Sequence, residues 1–170
     1  MGQKQIELDD ILAIEHLLGD DEKSVRDSMR QWIRQRFLPE ITEAHRAGTF
    51  PMHLMKELGE LGVFGPSIQG YGCAGVNNVT YGLMLQELER GDSGLRSLCS
   101  VQGSLVMYPI LTFGDERQRE RWLPRLASGE MIGCFGLTEP SAGSDPAAMQ
   151  TRAEKDGDSW VLNGVKAWIT

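Results

Sequence analysis

The sequence comprises 170 residues, of which 41% are hydrophobic and 24% are charged, a composition typical of a folded globular protein rather than a disordered one. Because 24 acidic residues outnumber 17 basic ones and give a net charge of −7, most of the surface should repel nucleic acid. The longest apolar stretch, Leu105 to Phe113, is too short to span a bilayer, and the acidic amino terminus resembles neither a signal peptide nor a transit peptide.

The cysteines and histidines do not show the spacing of a metal site or a disulfide framework. Cys73, Cys99 and Cys134 are odd in number and far apart, and the three histidines are scattered. Free cysteine most often packs as a small buried hydrophobe. We therefore expect no metal, three free thiols and a cytoplasmic location, where thiols stay reduced.

The first third of the chain predicts two amphipathic helices followed by a loop. Apolar residues recur at helical spacing from Asp20, a plausible N-cap, to Leu38, and Pro39 should stop this helix. A shorter helix should run from Pro51 to Gly62. The glycine-rich run 70–75 could cradle a phosphate, but it lacks a P-loop ending and favours a structural turn.

The next segment predicts two consecutive helices. Asn77 or Asn78 should cap a helix that closes at Gly91, and Asp92 or Ser93 should begin another. One face of the second helix is small and polar with a single charge. Its members are Arg96, Ser100, Gly103, Ser104 and Met107.

Proline and capping residues set the expectations for the remaining helical region. Pro109 should kink or loosen its helix by removing a backbone donor. Asp115 and Gln118 have the spacing of a capping box, which predicts a helix interrupted at Pro124 and ended by Gly129.

After Glu130 the pattern becomes that of strands. Residues 131–138 form a short apolar run, and residues 150–155, 160–163 and 166–170 are expected to be strands joined by turns at Asp156-Gly157 and Asn163-Gly164. The sequence thus predicts an α+β protein, with an all-α domain over residues 1–130 and the first part of a β-domain over residues 131–170. A strand that ends at Thr170 without a closing element suggests a truncated chain.

Two long motifs carry a family resemblance. Residues 134–145, CFGLTEPSAGSD, and residues 162–170, LNGVKAWIT, resemble the paired flavin-binding signatures of acyl-CoA dehydrogenases. The helical part is similar to that family in the 62–75 connection, the ELER sequence at 87–90 and residues 118–129. The resemblance implies a helical domain, a β-barrel domain and a carboxy-terminal four-helix domain, of which only the first and part of the second fall within this sequence.

The resemblance also implies residue roles in binding FAD. The Thr138 hydroxyl and nearby backbone N–H groups would face the pyrimidine edge of the flavin, Trp168 would pack on the ring, and Thr170 would reach toward N5. Ser144 would meet both the flavin pyrophosphate and the pantetheine arm of the substrate. The simpler alternatives are that Trp168 is barrel core and that Ser141 to Ser144 is only a turn. The full expected flavin-binding set is Phe135, Gly136, Leu137, Thr138, Glu139, Pro140, Ser141, Ala142, Gly143, Ser144, Trp168, Ile169 and Thr170.

The substrate expectation comes from residues 93–100, SGLRSLCS, which resemble the glutaryl-CoA dehydrogenase pattern. There, Arg96, Ser97 and Ser100 would hold the free carboxylate of the acyl group. Arg96 and Ser100 are four residues apart, so a guanidinium and a hydroxyl can converge on one carboxylate. The alternative is a solvated arginine in the first turn of a helix, although a cation there interacts unfavourably with the helix dipole.

The resemblance implies an oxidation of an acyl-CoA by α-proton abstraction and β-hydride transfer to FAD, with glutaryl-CoA giving crotonyl-CoA and CO₂. Electrons would pass to an electron-transfer flavoprotein, and the complete enzyme would be a homotetramer. The catalytic base of the family is a glutamate that would lie beyond Thr170, so no catalytic residue is assigned here, and Glu139 is not given that role. Another acyl-CoA dehydrogenase, an acyl-CoA oxidase and a non-catalytic flavin- or partner-binding module are the alternatives.

Overall fold

A computed structural model describes residues 14–170. Within these residues, seven α-helices are followed by a two-stranded antiparallel sheet. The α-helices are α1 Asp20–Trp32, α2 Leu38–Ala47, α3 Met55–Glu60, α4 Asn78–Gly91, α5 Ser93–Ser100, α6 Tyr108–Phe113 and α7 Glu116–Ala127, and the strands are β1 Arg152–Asp156 and β2 Ser159–Asn163. Two π-helical segments, Ile33–Phe37 and Val101–Met107, join α1 to α2 and α5 to α6.

The first helix differs from the sequence prediction at both ends. Gly19, not Asp20, is the N-cap, and its backbone N–H donates to the Glu22 carboxylate at 2.9 Å. Pro39 does not stop the helix, because it lies in the first turn of α2 directly after a π-helical segment. A proline is tolerated in a first turn, where its missing N–H donor is not required.

The predicted caps of α4 and α5 are confirmed. The side chain of Asn77 accepts a hydrogen bond from the backbone N–H of Thr80 at 2.8 Å, and that of Asp92 accepts one from Leu95 at 3.0 Å. Each bond satisfies a donor that has no partner inside its helix. Asp92 therefore ends one helix and begins the next within a single residue.

The two later prolines have different effects. Pro109 follows the second π-helical segment, which agrees with the expected loosening of the helix there. Pro124 does not interrupt α7, which continues to Ala127 with Leu123 and Leu126 buried on either side of it. The capping box between Asp115 and Gln118 is present, with distances of 2.7 and 2.9 Å.

The helices enclose an apolar core and a buried carboxylate that is paired with arginine. Glu87 of α4 is fully buried and accepts hydrogen bonds from the Arg30 guanidinium of α1 at 2.8 and 3.1 Å. Burying a carboxylate is costly unless it is paired, and the two-pronged contact supplies the pairing. The largest fully buried apolar side chains are Phe37, Phe64, Met29, Ile33, Leu54, Leu58, Met84, Leu88, Leu95, Met107 and Leu123.

The sheet is smaller than predicted. β1 and β2 pair in antiparallel register from Arg152 opposite Asn163 to Asp156 opposite Ser159, around a turn in which Gly157 has a φ of 58°. Residues 131–138 and 166–170 do not form strands. In the second segment Trp168 has a φ of 60°, in the left-handed region that a β-strand cannot contain.

The glycine-rich loop is a structural turn. The backbone N–H of Cys73 donates to the Gly70 carbonyl at 2.9 Å, and the Gln69 side chain donates to the Gly75 carbonyl at 3.0 Å. Gly70 and Gly72 have φ values of 83° and 80°, which favour glycine.

All three cysteines are free, and burial raises the pKa of Cys73 to about 11 and that of Cys99 to about 12.

Across residues 14–170, no helix has the length and apolar character needed to cross a membrane.

Candidate functional site

The two sequence motifs meet in space along the segments 137–139 and 166–167. The backbone N–H of Ala167 donates to the Thr138 carbonyl at 2.9 Å. The Lys166 ammonium donates to the Leu137 carbonyl at 3.0 Å and to the Glu139 carboxylate at 2.9 Å. Motifs that are separated by the whole β1–β2 hairpin thus form one continuous surface.

The hydrogen bonds of the Glu139 side chain hold this surface together. Its side chain is 4% exposed and accepts backbone N–H donors from Gln150 at 2.7 Å and Thr151 at 2.9 Å, in addition to the Thr151 hydroxyl and Lys166. These hydrogen bonds lower the pKa of Glu139 to about 2, and the bond from the Gln150 backbone N–H has the largest effect. A carboxylate held this firmly in its charged form is a poor proton acceptor.

The residues after Glu139 form a tight turn. Glu139 and Ala142 exchange two backbone hydrogen bonds of 3.0 and 3.1 Å, and Ala142 is buried. This turn leaves Ser141, Gly143 and Ser144 exposed. On the opposite motif, Gly164 lies against Thr151, where an added Cβ would come within 2.1 Å of the Thr151 hydroxyl oxygen. Any side chain at position 164 would push this segment away from Thr151, whose backbone N–H and hydroxyl bind Glu139.

The surface outside this turn combines exposed apolar side chains with hydroxyls that have no hydrogen-bond partner among the described residues. Phe135 is 41% exposed, Leu137 36% and Trp168 94%. Within residues 14–170, the hydroxyls of Thr138 and Thr170 form no hydrogen bond. Exposed apolar side chains beside free hydroxyl donors suit a ring system with a polar edge, such as a flavin.

Arg96, which the sequence assigns to a substrate carboxylate, lies on α5 and is 38% exposed. Its Nε donates to Glu89 Oε2 at 2.7 Å, and the Ser93 hydroxyl donates to Glu89 Oε1 at 2.6 Å. The hydrogen bonds from Ser93 and then Arg96 lower the pKa of Glu89. Among the described residues, neither terminal nitrogen of Arg96 has a hydrogen-bond partner.

Ser100 ends α5, and the residues that follow it line a small cavity. Tyr81, Ser104 and Tyr108 contribute to the wall of this cavity, which has a volume of about 90 Å³. The Ser104 hydroxyl donates to the Ser100 carbonyl at 2.5 Å, and the Tyr81 hydroxyl interacts with both serine side chains. Burial is the main cause that raises the pKa of Tyr81, so this tyrosine stays protonated at neutral pH.

The expected site residues therefore form two groups. Phe135 to Ser144 and residues 166–170 lie together, whereas Arg96, Ser97 and Ser100 lie on α5 and have no direct hydrogen bond to either motif in the described part of the chain. The sequence analysis missed Gln102, a fully buried side chain whose bonds reach from the π-helical segment after α5 to Met131 and Gly133. A polar residue inside an apolar helical run was the available signal, because a buried amide requires partners.

A helical domain followed by a segment that joins two flavin-type motifs defines the class of the protein. Residues 19–130 match the family profile described as "Acyl-CoA dehydrogenase, N-terminal domain", and residues 134–170 match "Acyl-CoA dehydrogenase, middle domain". The chain belongs to the acyl-CoA dehydrogenase family.

Individual relatives agree with this assignment. The chain is 36% identical over 154 residues to the mitochondrial short-chain specific acyl-CoA dehydrogenase of Rattus norvegicus, covering 90% of this chain and 37% of that protein. It is similar to the crystal structure of a glutaryl-CoA dehydrogenase from Mycobacterium smegmatis in complex with FADH2, with 53% identity, a TM-score of 0.88, and coverage of 96% and 42% of the two chains. For butyryl-CoA dehydrogenase from Megasphaera elsdenii the identity is 34%, the TM-score 0.81 and the coverage 89% and 41%. The chain thus spans about two fifths of the length of these relatives.

Proposed function

We propose that the chain contributes the flavin-facing and acyl-facing surfaces of an enzyme that oxidises an acyl-CoA thioester, with FAD as the hydride acceptor. Family membership supports the reaction class, and the surface built from residues 135–138 and 166–170 supports the cofactor. Bound FAD would accept a hydride from the β-carbon of the substrate. The M. smegmatis structure holds FADH2, which is consistent with this assignment.

In this proposal, the residues of the chain orient the cofactor and the acyl group. The free Thr138 and Thr170 hydroxyls would donate hydrogen bonds to the polar edge of the flavin, where negative charge develops on reduction. Phe135 and Trp168 would exclude water from the ring. Exposed Ser144, which follows Gly143 after the tight turn, would approach the pyrophosphate and the pantetheine arm, because small residues let a ligand lie close to the backbone.

We propose glutaryl-CoA as the substrate, on the geometry of Arg96. Glu89 holds the Nε of Arg96 and leaves both terminal nitrogens available. A guanidinium fixed at one end can bind a second carboxylate with its other donors. A plain acyl chain has no charge to bind there, whereas glutaryl-CoA ends in a carboxylate that the Ser100 hydroxyl can also reach.

The remaining parts of the proposal follow from the family. By family resemblance, the base that removes the α-proton would be a glutamate outside these 170 residues. Glu139 is not given this role, and its carboxylate accepts four hydrogen bonds. The electrons would leave through an electron-transfer flavoprotein, and the assembled enzyme would be a homotetramer.

Arg96→Ala in the full-length enzyme tests the substrate proposal. Losing a charged partner of the carboxylate should lower kcat/KM for glutaryl-CoA about thirty-fold or more, equivalent to roughly 2 kcal/mol. Activity on butyryl-CoA should fall much less. Arg125→Ala is the matched control, because the Nε of Arg125 also donates to a glutamate at 2.7 Å on a half-exposed surface. Equal losses on both substrates would contradict the assignment.

A further inference from the structure

Gln102 connects three backbone segments with one side chain. Its amide nitrogen donates to the Leu126 carbonyl at 3.0 Å and to the Met131 carbonyl at 2.9 Å, and its amide oxygen accepts the Gly133 backbone N–H at 2.9 Å. The side chain is fully buried. Both N–H donors and the oxygen are therefore used, which fixes the amide in one orientation.

The position of Gln102 in the chain gives these bonds a role beyond packing. Gln102 follows Ser100 by two residues on the same helical run, so it moves with the proposed carboxylate anchor. Gly133 directly precedes the motif that begins at Cys134 and carries the proposed flavin surface. Gln102 is thus the described side chain that bonds the acyl-facing helix to the start of the flavin-facing segment.

Close packing reinforces this connection. A Cβ added at Gly133 would lie 2.4 Å from Val106 Cγ1, so the segment touches the π-helical segment as closely as a glycine permits. A π-helical turn is a poorer hydrogen-bonding arrangement than an α-helix and often occurs at functional sites. Here the turn carries Gln102 and Val106, which both contact the segment before the flavin motif.

We propose that Gln102 is a positioning residue that sets the separation between the acyl-binding helix and the flavin-binding segment. This inference rests on the proposed function. Hydride transfer requires the donor carbon and the acceptor atom at close, aligned range, and a shift of about 1 Å can cost on the order of one hundred-fold in rate. A change at Gln102 should therefore lower kcat more than it raises KM, because each binding surface stays intact while their spacing changes.

Gln102→Met in the full-length enzyme tests this role, since methionine keeps the length of the side chain and removes all three hydrogen bonds. We expect kcat with glutaryl-CoA to fall about ten- to one hundred-fold while KM changes by less than about three-fold. Exchange of the Gly133 amide hydrogen should accelerate about ten-fold, because its acceptor is lost. Leu54→Ala, a buried core variant that keeps all three Gln102 hydrogen bonds, should lower the melting temperature with little change in kcat or in Gly133 exchange.

A second variant keeps the positioning role testable if the Gln102→Met protein fails to fold. Gly133→Ala should separate the segments by a clash with Val106 while Gln102 is retained, and adding Val106→Ala should restore kcat. An unchanged kcat in both Gln102→Met and Gly133→Ala, or equal losses in these variants and Leu54→Ala, would overturn the positioning role. A wild-type enzyme that oxidises no acyl-CoA would instead overturn the proposed function, and Gly133 exchange would still report whether Gln102 holds the segment.

Discussion

The helical region before residue 131 and the segment 131–170 are held in place by different forces. In the first, side chains from every long helix share one apolar core. In the second, the buried side chains are Ala142 and Glu139, and every residue of β1 and β2 is exposed. The helical region is thus stabilised by burial of apolar area, while the second segment is positioned by a few directional bonds through Gln102, Glu139 and Lys166.

This difference has a functional consequence. Removing volume from a close-packed core lowers stability, but the core keeps its shape because each side chain has many neighbours. A segment held by few polar bonds can be shifted by removing one of them. We therefore expect changes in the helical region to affect stability first, and changes in the second segment to affect cofactor binding first.

The largest expected effect is in the core. Phe37→Ala removes a fully buried ring that stacks on Trp32 and contacts Phe50. The cavity should lower the free energy of unfolding by about 3–5 kcal/mol, measured by urea denaturation. Met52→Ala, at a side chain that is 52% exposed, is the control and should change it by less than about 0.5 kcal/mol. Similar losses in both variants would contradict a core in this region.

Two glycine-to-alanine changes in the helical region should change the stability of the protein in opposite directions. A Cβ at Gly59 would lie 2.3 Å from the Ser128 carbonyl oxygen, whereas a Cβ at Gly82 would have no atom within 4 Å. Gly59→Ala should therefore destabilise the protein by about 1–3 kcal/mol through overpacking. Gly82→Ala, inside α4, should stabilise it by up to about 1 kcal/mol through helix propensity. Thermal unfolding measures both, and two changes of the same sign would conflict with the packing described.

The acid response distinguishes the second segment. The pKa of Glu139 is lowered to about 2, so its contribution to stability is present above the ordinary glutamate value near 4.5 and is lost as pH falls toward 2. The Gln150 and Thr151 amide NMR shifts should titrate with a midpoint near pH 2, because both groups donate to this carboxylate. Glu139→Gln should abolish that titration. A midpoint near 4.5 in the wild-type protein would show that the carboxylate is not held as described.

The smallest predicted effect concerns one hydroxyl. Thr170→Val keeps the size of the side chain and removes a single hydrogen bond, worth about 0.5–1.5 kcal/mol. In the full-length enzyme we expect a weaker affinity for FAD and a shifted reduction potential, with substrate selectivity unchanged. Thr42→Val, at an exposed position of α2, should alter neither. An unchanged potential and affinity in Thr170→Val would argue against the contact with the flavin.

Sequence patterns predicted the helices because they depend on local spacing. The stripes of apolar residues and the caps at Asn77, Asp92 and Asp115 act within a few residues of themselves. The π-helical segments were missed, since a proline such as Pro39 has the same local signature at a helix end as in a first turn.

The contacts that build the site depend on residues far apart in the chain. Both motifs were recognised, but nothing local in them indicates that Lys166 pairs with Glu139, 27 residues earlier. The three partners of Gln102 are backbone groups, which leave no trace in residue identity. Residues 166–170 were assigned to a strand from their composition, and the left-handed Trp168 shows that the assignment was wrong.

In the proposed function, the contact between Glu139 and Lys166 joins two motifs into one flavin-binding surface. A double-mutant cycle on FAD affinity tests it most directly, using Glu139→Gln, Lys166→Met and the combined variant of the full-length enzyme. Each single change should weaken FAD binding, and the combined change should weaken it by clearly less than the product of the two factors, because either change already breaks the shared contact. Independent, multiplicative effects, or an unchanged affinity in all three variants, would contradict the account.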